Sequence, residues 1–382
     1  MPPQKILDSH IHLWPSTSTT ASAHAWMKPG HFLSKRHGIN DYLAIADASV
    51  QGFVYVETDR YLPSPTPDFA TNSSDAEVKE KLQQYAHEPF SELAFLKRIV
   101  QGKPDDGDGC DAEVGARMKG CVLWAPFHLP VPIFTQYLDI VRDIAGPSLL
   151  DGKIVGFRFL LQGKKPGEVE ALVRSEAWLS NIVSLDKARA GKGWTFDVGV
   201  DVHRDGEEGV KAVGGMIGEV RRRGGRGRFI LSEYFRCLRL GHVYRGEDML
   251  IIRIDHLCKP PLSNSTLSQA WVEALKALKD DENVYMKLSG ALNEFEVTPS
   301  STGEIVQALN PYLDVVFECF PGRVMFGSDW PVCNVGGPKG EKGNWGFWRD
   351  VVEEVVDRRG MSEEEREGIW WRNGSRAYGV EV

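Results

Sequence analysis

The chain has 382 residues, 42% of them hydrophobic and 26% charged, close to the average for soluble globular proteins, so a core can form without disulfide or metal staples. Its 45 Lys and Arg against 53 Asp and Glu leave a net charge of −8, which with the scattered basic residues argues against nucleic acid as a partner. No apolar run approaches the length that spans a bilayer, and no basic and apolar leader precedes the first strand, so a cytoplasmic protein without membrane contact is expected. The six cysteines, Cys110, Cys121, Cys237, Cys258, Cys319 and Cys333, show no paired spacing and read as reduced thiols.

The first predicted strand is KILDSHIH, 5–12. Asp8, His10 and His12 occupy alternate positions, and side chains two apart share a face of a strand. The second strand, VQGFVYVE at 50–57, ends in Glu57, and a Pro-, Ser- and Thr-rich stretch at 60–75 reads as a long loop. A helical pattern over 75–100 leads to a third strand at 118–125, and another over 132–146 to a fourth at 153–160 that carries Arg158. The fifth strand is 194–200, with Asp197 in it and His203 just beyond. RRRGGRGR at 221–228 lacks interleaved aromatics and follows an apolar helical pattern, which favours a solvated helix end and loop over a nucleic-acid patch. The stretch 232–248 is expected as an insertion before a sixth strand, MLIIRIDH at 249–256, on the face opposite any site or as a decoration. Helices over 268–280 and 303–320 flank a seventh strand at 283–289 with Lys287, and an eighth at 323–328 ends beside Asp329.

Strands alternating with helices imply parallel pairing and right-handed crossovers, and eight such units imply a closed α/β barrel, the (β/α)₈ or TIM architecture. An open doubly wound sheet is the competitor, but no Gly-rich dinucleotide loop follows the first strand. Residues 1–382 are read as one barrel domain with loop insertions near 60–75 and 232–248.

Active sites of such barrels lie at the C-terminal mouth, where these strand ends converge. His10, His12, His256 and Asp329 form a set of three imidazoles and a carboxylate of the kind borderline metals such as zinc prefer. A metal there would lower the pKa of a bound water, with Asp329 as general base. Without metal, histidine N–H groups would polarise a carbonyl while Asp329 activates water. Both routes end in hydrolysis. At most one divalent ion per chain is expected, because no fourth-strand lysine stands where a second ion would need a bridging ligand.

LDSHIHLW, GFRFLLQ, IDHLCKP, VYMKLSG, RVMFGSDWPVC and RNGSRAYGV resemble, in order and spacing, the amidohydrolase-2 branch of the amidohydrolase superfamily, over essentially the whole chain. The likeness is nearest to sugar-acid lactonases, such as L-rhamnono- and L-fucono-lactonases, and to 2-pyrone-4,6-dicarboxylate lactonases. It implies a barrel with His10, His12, His256 and Asp329 at the reaction centre and Arg158 on the substrate's polar groups. Members differ in their use of metal, so the resemblance leaves both routes open. Phe159 in place of a common histidine, Cys258 in place of a common glycine and the insertion before the sixth strand depart from the pattern and bear on the substrate. The expected activity is therefore opening of a lactone of a small sugar acid or carboxylated compound, in carbohydrate metabolism, with Lys287, Lys259, Glu57 and His203 as further candidates for substrate contact. A nonoxidative zinc-dependent decarboxylase is the alternative within the superfamily, and a catalytically silent binding barrel the alternative outside enzymes. The partner is a small molecule, with homo-oligomers left open.

Overall fold

The computed structural model describes residues 3–69, 73–187, 189, 193–200, 207–232, 267–295, 297–332 and 337–382. Eight strands form one sheet in chain order: β1 (Ile6–Ile11), β2 (Val50–Val56), β3 (Met118–Trp124), β4 (Ile154–Leu160), β5 (Thr195–Gly199), β6 (Phe229–Ser232), β7 (Val284–Leu288) and β8 (Val324–Phe326). Every neighbouring pair is parallel. The sheet closes through a parallel bridge between Ile11 and Trp330, with the Asp329 N–H donating to the His10 carbonyl at 2.8 Å and the His12 N–H to the Trp330 carbonyl at 2.7 Å. The result is a (β/α)₈ barrel. No helix among the described residues is long and apolar enough to cross a membrane.

Strand residues alternate between two apolar clusters. Phe53, Tyr55, Cys121 and Leu123 pack outward with the helices, while Leu7, Val54, Val56, Val122 and Val155 fill the lumen. Tyr378, from the last helix Asn373–Tyr378, joins the lumen cluster. That helix closes in Gly379, whose φ of 62° is left-handed and suits glycine at a helix end.

Two expectations are corrected. The sixth place in the sheet is held by Phe229–Ser232, paired with Phe196–Gly199 on one side and Val284–Met286 on the other; the run at 249–256 lies outside the described residues. The stretch 232–248 therefore follows the sixth strand instead of preceding it, and the chain leaves β6 from the C-terminal rim.

Asp8 also fails to share a face with the histidines. Between its pairings Asp8–Phe53 and Ile11–Tyr55, β1 advances three residues while β2 advances two. Such a bulge switches the alternation. Asp8 points outward, accepting from Tyr42 Oη at 2.8 Å, Trp345 Nε1 at 3.2 Å and the Ser328 N–H at 2.8 Å. Beyond the bulge Ile11 and Leu13 face the helices, and His10 and His12 turn inward together.

The expected helix over 75–100 is two, Asp75–Tyr85 and His87–Val100, meeting at Ala86. Pro89 lacks an amide proton and is confined to a first turn. The basic run at 221–228 is a clamped turn: Arg221 donates to the Gly225 and Gly227 carbonyls and to Asp281.

Candidate active site

His10, His12 and Asp329 offer ligand atoms all within 4.8 Å of one another, and all three are buried. His10 Nε2 lies 3.1 Å from His12 Nε2. Asp329 Oδ1 lies 3.2 Å from His12 Nε2 and 3.6 Å from His10 Nε2. Asp329 adopts a left-handed φ of 57°, a conformation aspartate tolerates better than most residues. Gly327 makes the approach possible, because a Cβ there would meet His10 Cβ at 3.0 Å and Ser289 Cβ at 3.2 Å.

The hydrogen bonds fix the tautomers. His12 Nδ1 sits 2.9 Å from the Val56 carbonyl, which only accepts, so the Nδ1 proton is in place and Nε2 of the neutral ring presents a lone pair. Burial lowers the His12 pKa against the pull of Asp329, which keeps that ring neutral. His10 must then donate from Nε2 to His12 and accept at Nδ1. Lys287 Nζ supplies that contact at 3.3 Å.

Lys287 in turn donates to Asp197 Oδ2 at 2.8 Å, and Tyr378 Oη donates to the same oxygen at 2.6 Å. Thr195 Oγ1 reaches Asp197 Oδ1 at 3.3 Å. A buried chain thus runs from the C-terminal helix through Asp197 and Lys287 to His10. Burial lowers the Lys287 pKa while Asp197 opposes the shift.

A second buried pair lies beside this one. Arg158 Nε donates to Glu57 Oε1 at 2.6 Å and Nη2 to the Glu57 carbonyl at 2.6 Å, and both side chains are fully buried. Burial pushes the Glu57 carboxyl up to about 7, with the Arg158 charge opposing it. Glu57 follows Val56, whose carbonyl holds His12, so both pairs share the rim of β2.

Of the residues singled out by sequence, His10, His12 and Asp329 meet, Lys287 touches His10, and Glu57 and Arg158 pair alongside. His203, His256 and Lys259 lie outside the described residues. Sequence reasoning missed Tyr378, whose RAYGV context gave no hint of a side chain entering the barrel. It also missed Arg60 and Glu92, which hold the loop after β2. Glu92 Oε1 accepts from Tyr55 Oη, the Thr58 N–H, Thr58 Oγ1 and Arg60 Nε. His24 Nε2 bonds Thr58 Oγ1 at 2.8 Å, and burial holds its pKa well below the ordinary value.

Two cavities bear on function. One of 310 Å³ opens at the mouth between the ends of β2, β3 and β4, beside Arg60, Trp124 and Phe159. A larger cavity of 530 Å³ lies at the other end of β8, beside Val324, Arg359 and Arg372; neither cavity has His10, His12 or Asp329 in its lining.

The donor set suits a metal. Ligands at the ~2.0–2.2 Å typical of zinc nitrogen and oxygen donors stand about 3.3 Å apart on a tetrahedral face, and the three edges here are 3.1, 3.2 and 3.6 Å. The His12 lone pair and the Asp329 oxygen face each other without a proton between them, an arrangement a cation relieves. As a neutral ligand through Nε2, His10 would carry its proton on Nδ1 instead, and Lys287 would no longer donate there.

Comparison with known proteins agrees with the barrel. Residues 248–380 match the amidohydrolase family. Across 98% of this chain and 99% of its own length, an L-rhamnono-gamma-lactonase of Scheffersomyces stipitis is 26% identical. An L-fucono-1,5-lactonase of Burkholderia ambifaria is 36% identical over 115 residues, 30% of this chain and 37% of that protein. A crystal structure of an amidohydrolase from Burkholderia multivorans with bound zinc superposes with a TM-score of 0.63 at 20% identity, covering 99% of this chain and 100% of that one. The chain shares the (β/α)₈ barrel of that structure, and its residues 248–380 are similar to the amidohydrolase family.

Proposed function

We propose that the protein hydrolyses the lactone of a small sugar acid. The observation that carries this reading is the buried convergence of His10, His12 and Asp329 at the barrel mouth, in a chain similar over nearly its whole length to a rhamnono-lactonase.

With substrate bound, the His10 Nε2–H would leave His12 Nε2 and hydrogen-bond the carbonyl oxygen as negative charge develops on it, in a buried setting where such a bond is strong. Asp329 orients a water and takes its proton as the water oxygen bonds to the carbonyl carbon. Collapse of the tetrahedral adduct breaks the bond to the ring oxygen, and Asp329 returns the proton to the leaving alkoxide. The product is a hydroxy acid, which ionises and releases one proton to solution. In this metal-free route Lys287 holds His10 in the donor tautomer. Zinc is the ion proposed for the site, held by His10, His12 and Asp329. It would act as a Lewis acid and lower the pKa of a bound water.

A pH-stat assay over a panel of aldonolactones, with and without chelator, tests the reading. Base consumption matching lactone loss is expected. Proton uptake with release of carbon dioxide, or no turnover of any lactone, would overturn it.

A further inference from the structure

Arg60 is among the most buried charged groups of the protein, its side chain 1% exposed. Its Nε donates to Glu92 Oε1 at 3.2 Å, but neither Nη1 nor Nη2 makes a hydrogen bond among the described residues. A buried polar group left in that state is costly. Both nitrogens belong to a side chain lining the 310 Å³ mouth cavity, which is near the lower end of the roughly 300–1,000 Å³ usual for small-ligand sites.

The rest of the cavity agrees with an oxygen-rich ligand. Gln162 Nε2 is also buried without a hydrogen bond among the described residues, and Lys164 lines the same cavity. Asp59 is the acidic member of the lining. Tyr85, Trp124 and Phe159 also line it, the last two stacked at 29° with centroids 6.4 Å apart and Lys164 Nζ 5.4 Å from the Phe159 ring centre. Flat aromatic walls suit the C–H face of a small ring.

The loop explains why the guanidinium is aimed so firmly. Asp59 turns the chain with a φ of 52°, its N–H bound to Glu57 Oε2 at 2.6 Å, while Glu92 grips Thr58 and Arg60 together. The loop leaves β2 directly after Val56, the residue whose carbonyl holds His12. The fork therefore stands on the same rim as the reacting cluster.

We propose that Arg60 is the specificity-determining residue of the site, binding with Nη1 and Nη2 a pair of adjacent oxygens at the end of the substrate remote from the ester. This rests on the lactone-hydrolase reading above and names the substrate class: lactones bearing a vicinal diol or a carboxylate. A planar fork matches either oxygen pair.

Steady-state kinetics of the full-length protein and of Arg60→Gln, Arg60→Lys and Lys164→Met test this with galactonolactone, a carboxylated butyrolactone and valerolactone, which has neither oxygen pair. Arg60→Gln should raise KM about tenfold or more on a substrate with the oxygen pair, as expected for a lost charged hydrogen bond, with kcat changed less than about threefold. On valerolactone wild type and variant should agree. A larger effect on galactonolactone identifies the diol as the recognised pair, and a larger effect on the butyrolactone identifies the carboxylate. Arg60→Lys keeps a charge against Glu92, guarding against misfolding, but lacks the fork and should not restore KM. Lys164→Met, far less buried, should weaken only the carboxylated substrate. An unchanged KM in folded Arg60→Gln overturns the assignment. If the wild type opens no lactone, calorimetric titration with galactonate still reads Arg60: about tenfold weaker binding in Arg60→Gln supports it, and equal binding overturns it.

Discussion

Replacing Lys287 by methionine separates the two roles the structure gives this side chain. The change removes the cation from a fully buried pair with Asp197 and takes the hydrogen-bond partner from His10 Nδ1. Asp197 keeps the Tyr378 hydroxyl at 2.6 Å and Thr195 at 3.3 Å but loses its ion pair with Lys287. Breaking a buried pair in this way costs about 3–5 kcal/mol. Misplacing His10 should lower kcat roughly 10- to 100-fold. Adding Asp197→Asn removes the stranded charge, and the asparagine can still accept from Tyr378. Urea unfolding should then find the double variant within about 2 kcal/mol of wild type, a coupling of the size seen between touching residues. Its kcat should stay as low as that of the single variant. Wild-type stability in Lys287→Met, or recovery of both stability and kcat in the double variant, would refute the reasoning.

Arg158→Met should destabilise the protein by about 3–5 kcal/mol above pH 8, where Glu57 is left charged and buried. The loss should shrink below pH 7 as Glu57, whose carboxyl burial raises to about 7 with Arg158 in place, takes up a proton; a pH-independent loss of Tm would contradict the pairing. The histidines set the response of the wild type to acid. Burial holds His37 and His128 near 4 and His24 well below its ordinary value, so the unfolded chain binds protons at these sites that the native chain refuses. Their contribution is present above about pH 6.5 and is lost as pH falls toward 4. Glu57, Asp8 and Glu353, raised by burial, act in the opposite sense, against four histidines held low once His12 is included. Calorimetry should therefore show Tm falling from pH 7 to pH 5, and a flat or rising Tm would contradict this. Gly327→Ala should push His10 aside, given a Cβ contact of 3.0 Å, lowering kcat about tenfold or more with a stability loss of about 1–3 kcal/mol; unchanged kinetics would show that the close approach is not needed.

Most of the barrel was legible because its strands are short apolar runs rich in branched and aromatic residues, separated by helical periodicities. Seven of the predicted strands match observed ones, as with 284–288 read as 283–289. The sixth was misread because two runs, RFILS and MLIIRIDH, fit one place, and periodicity carries no information about register. What decides it is local: Arg221 clamps the turn at 223–228 through the Gly225 and Gly227 carbonyls, so the chain re-enters the sheet at once. The shared face of His10 and His12 was legible, and so was the approach of Asp329, since β8 closes on β1. Asp8 was not, because one extra residue in β1 reverses the alternation without a sequence signal. Tyr378 and Arg60 were hidden for another reason. Their roles depend on where a terminal helix docks and how a loop turns at Asp59, both tertiary outcomes.

The most direct test of the central claim is kcat for opening of an aldonolactone by wild type and Asp329→Asn, measured by pH-stat at neutral pH. Asparagine copies the shape of Asp329 beside His12 and His10 but cannot take the proton of the attacking water. The account predicts acid release by the wild type and a kcat lower by about a hundredfold or more in the variant, the usual worth of a general base, with KM changed far less. A variant within about threefold of wild type in kcat, far short of that worth, would remove Asp329 from the chemistry and contradict the account.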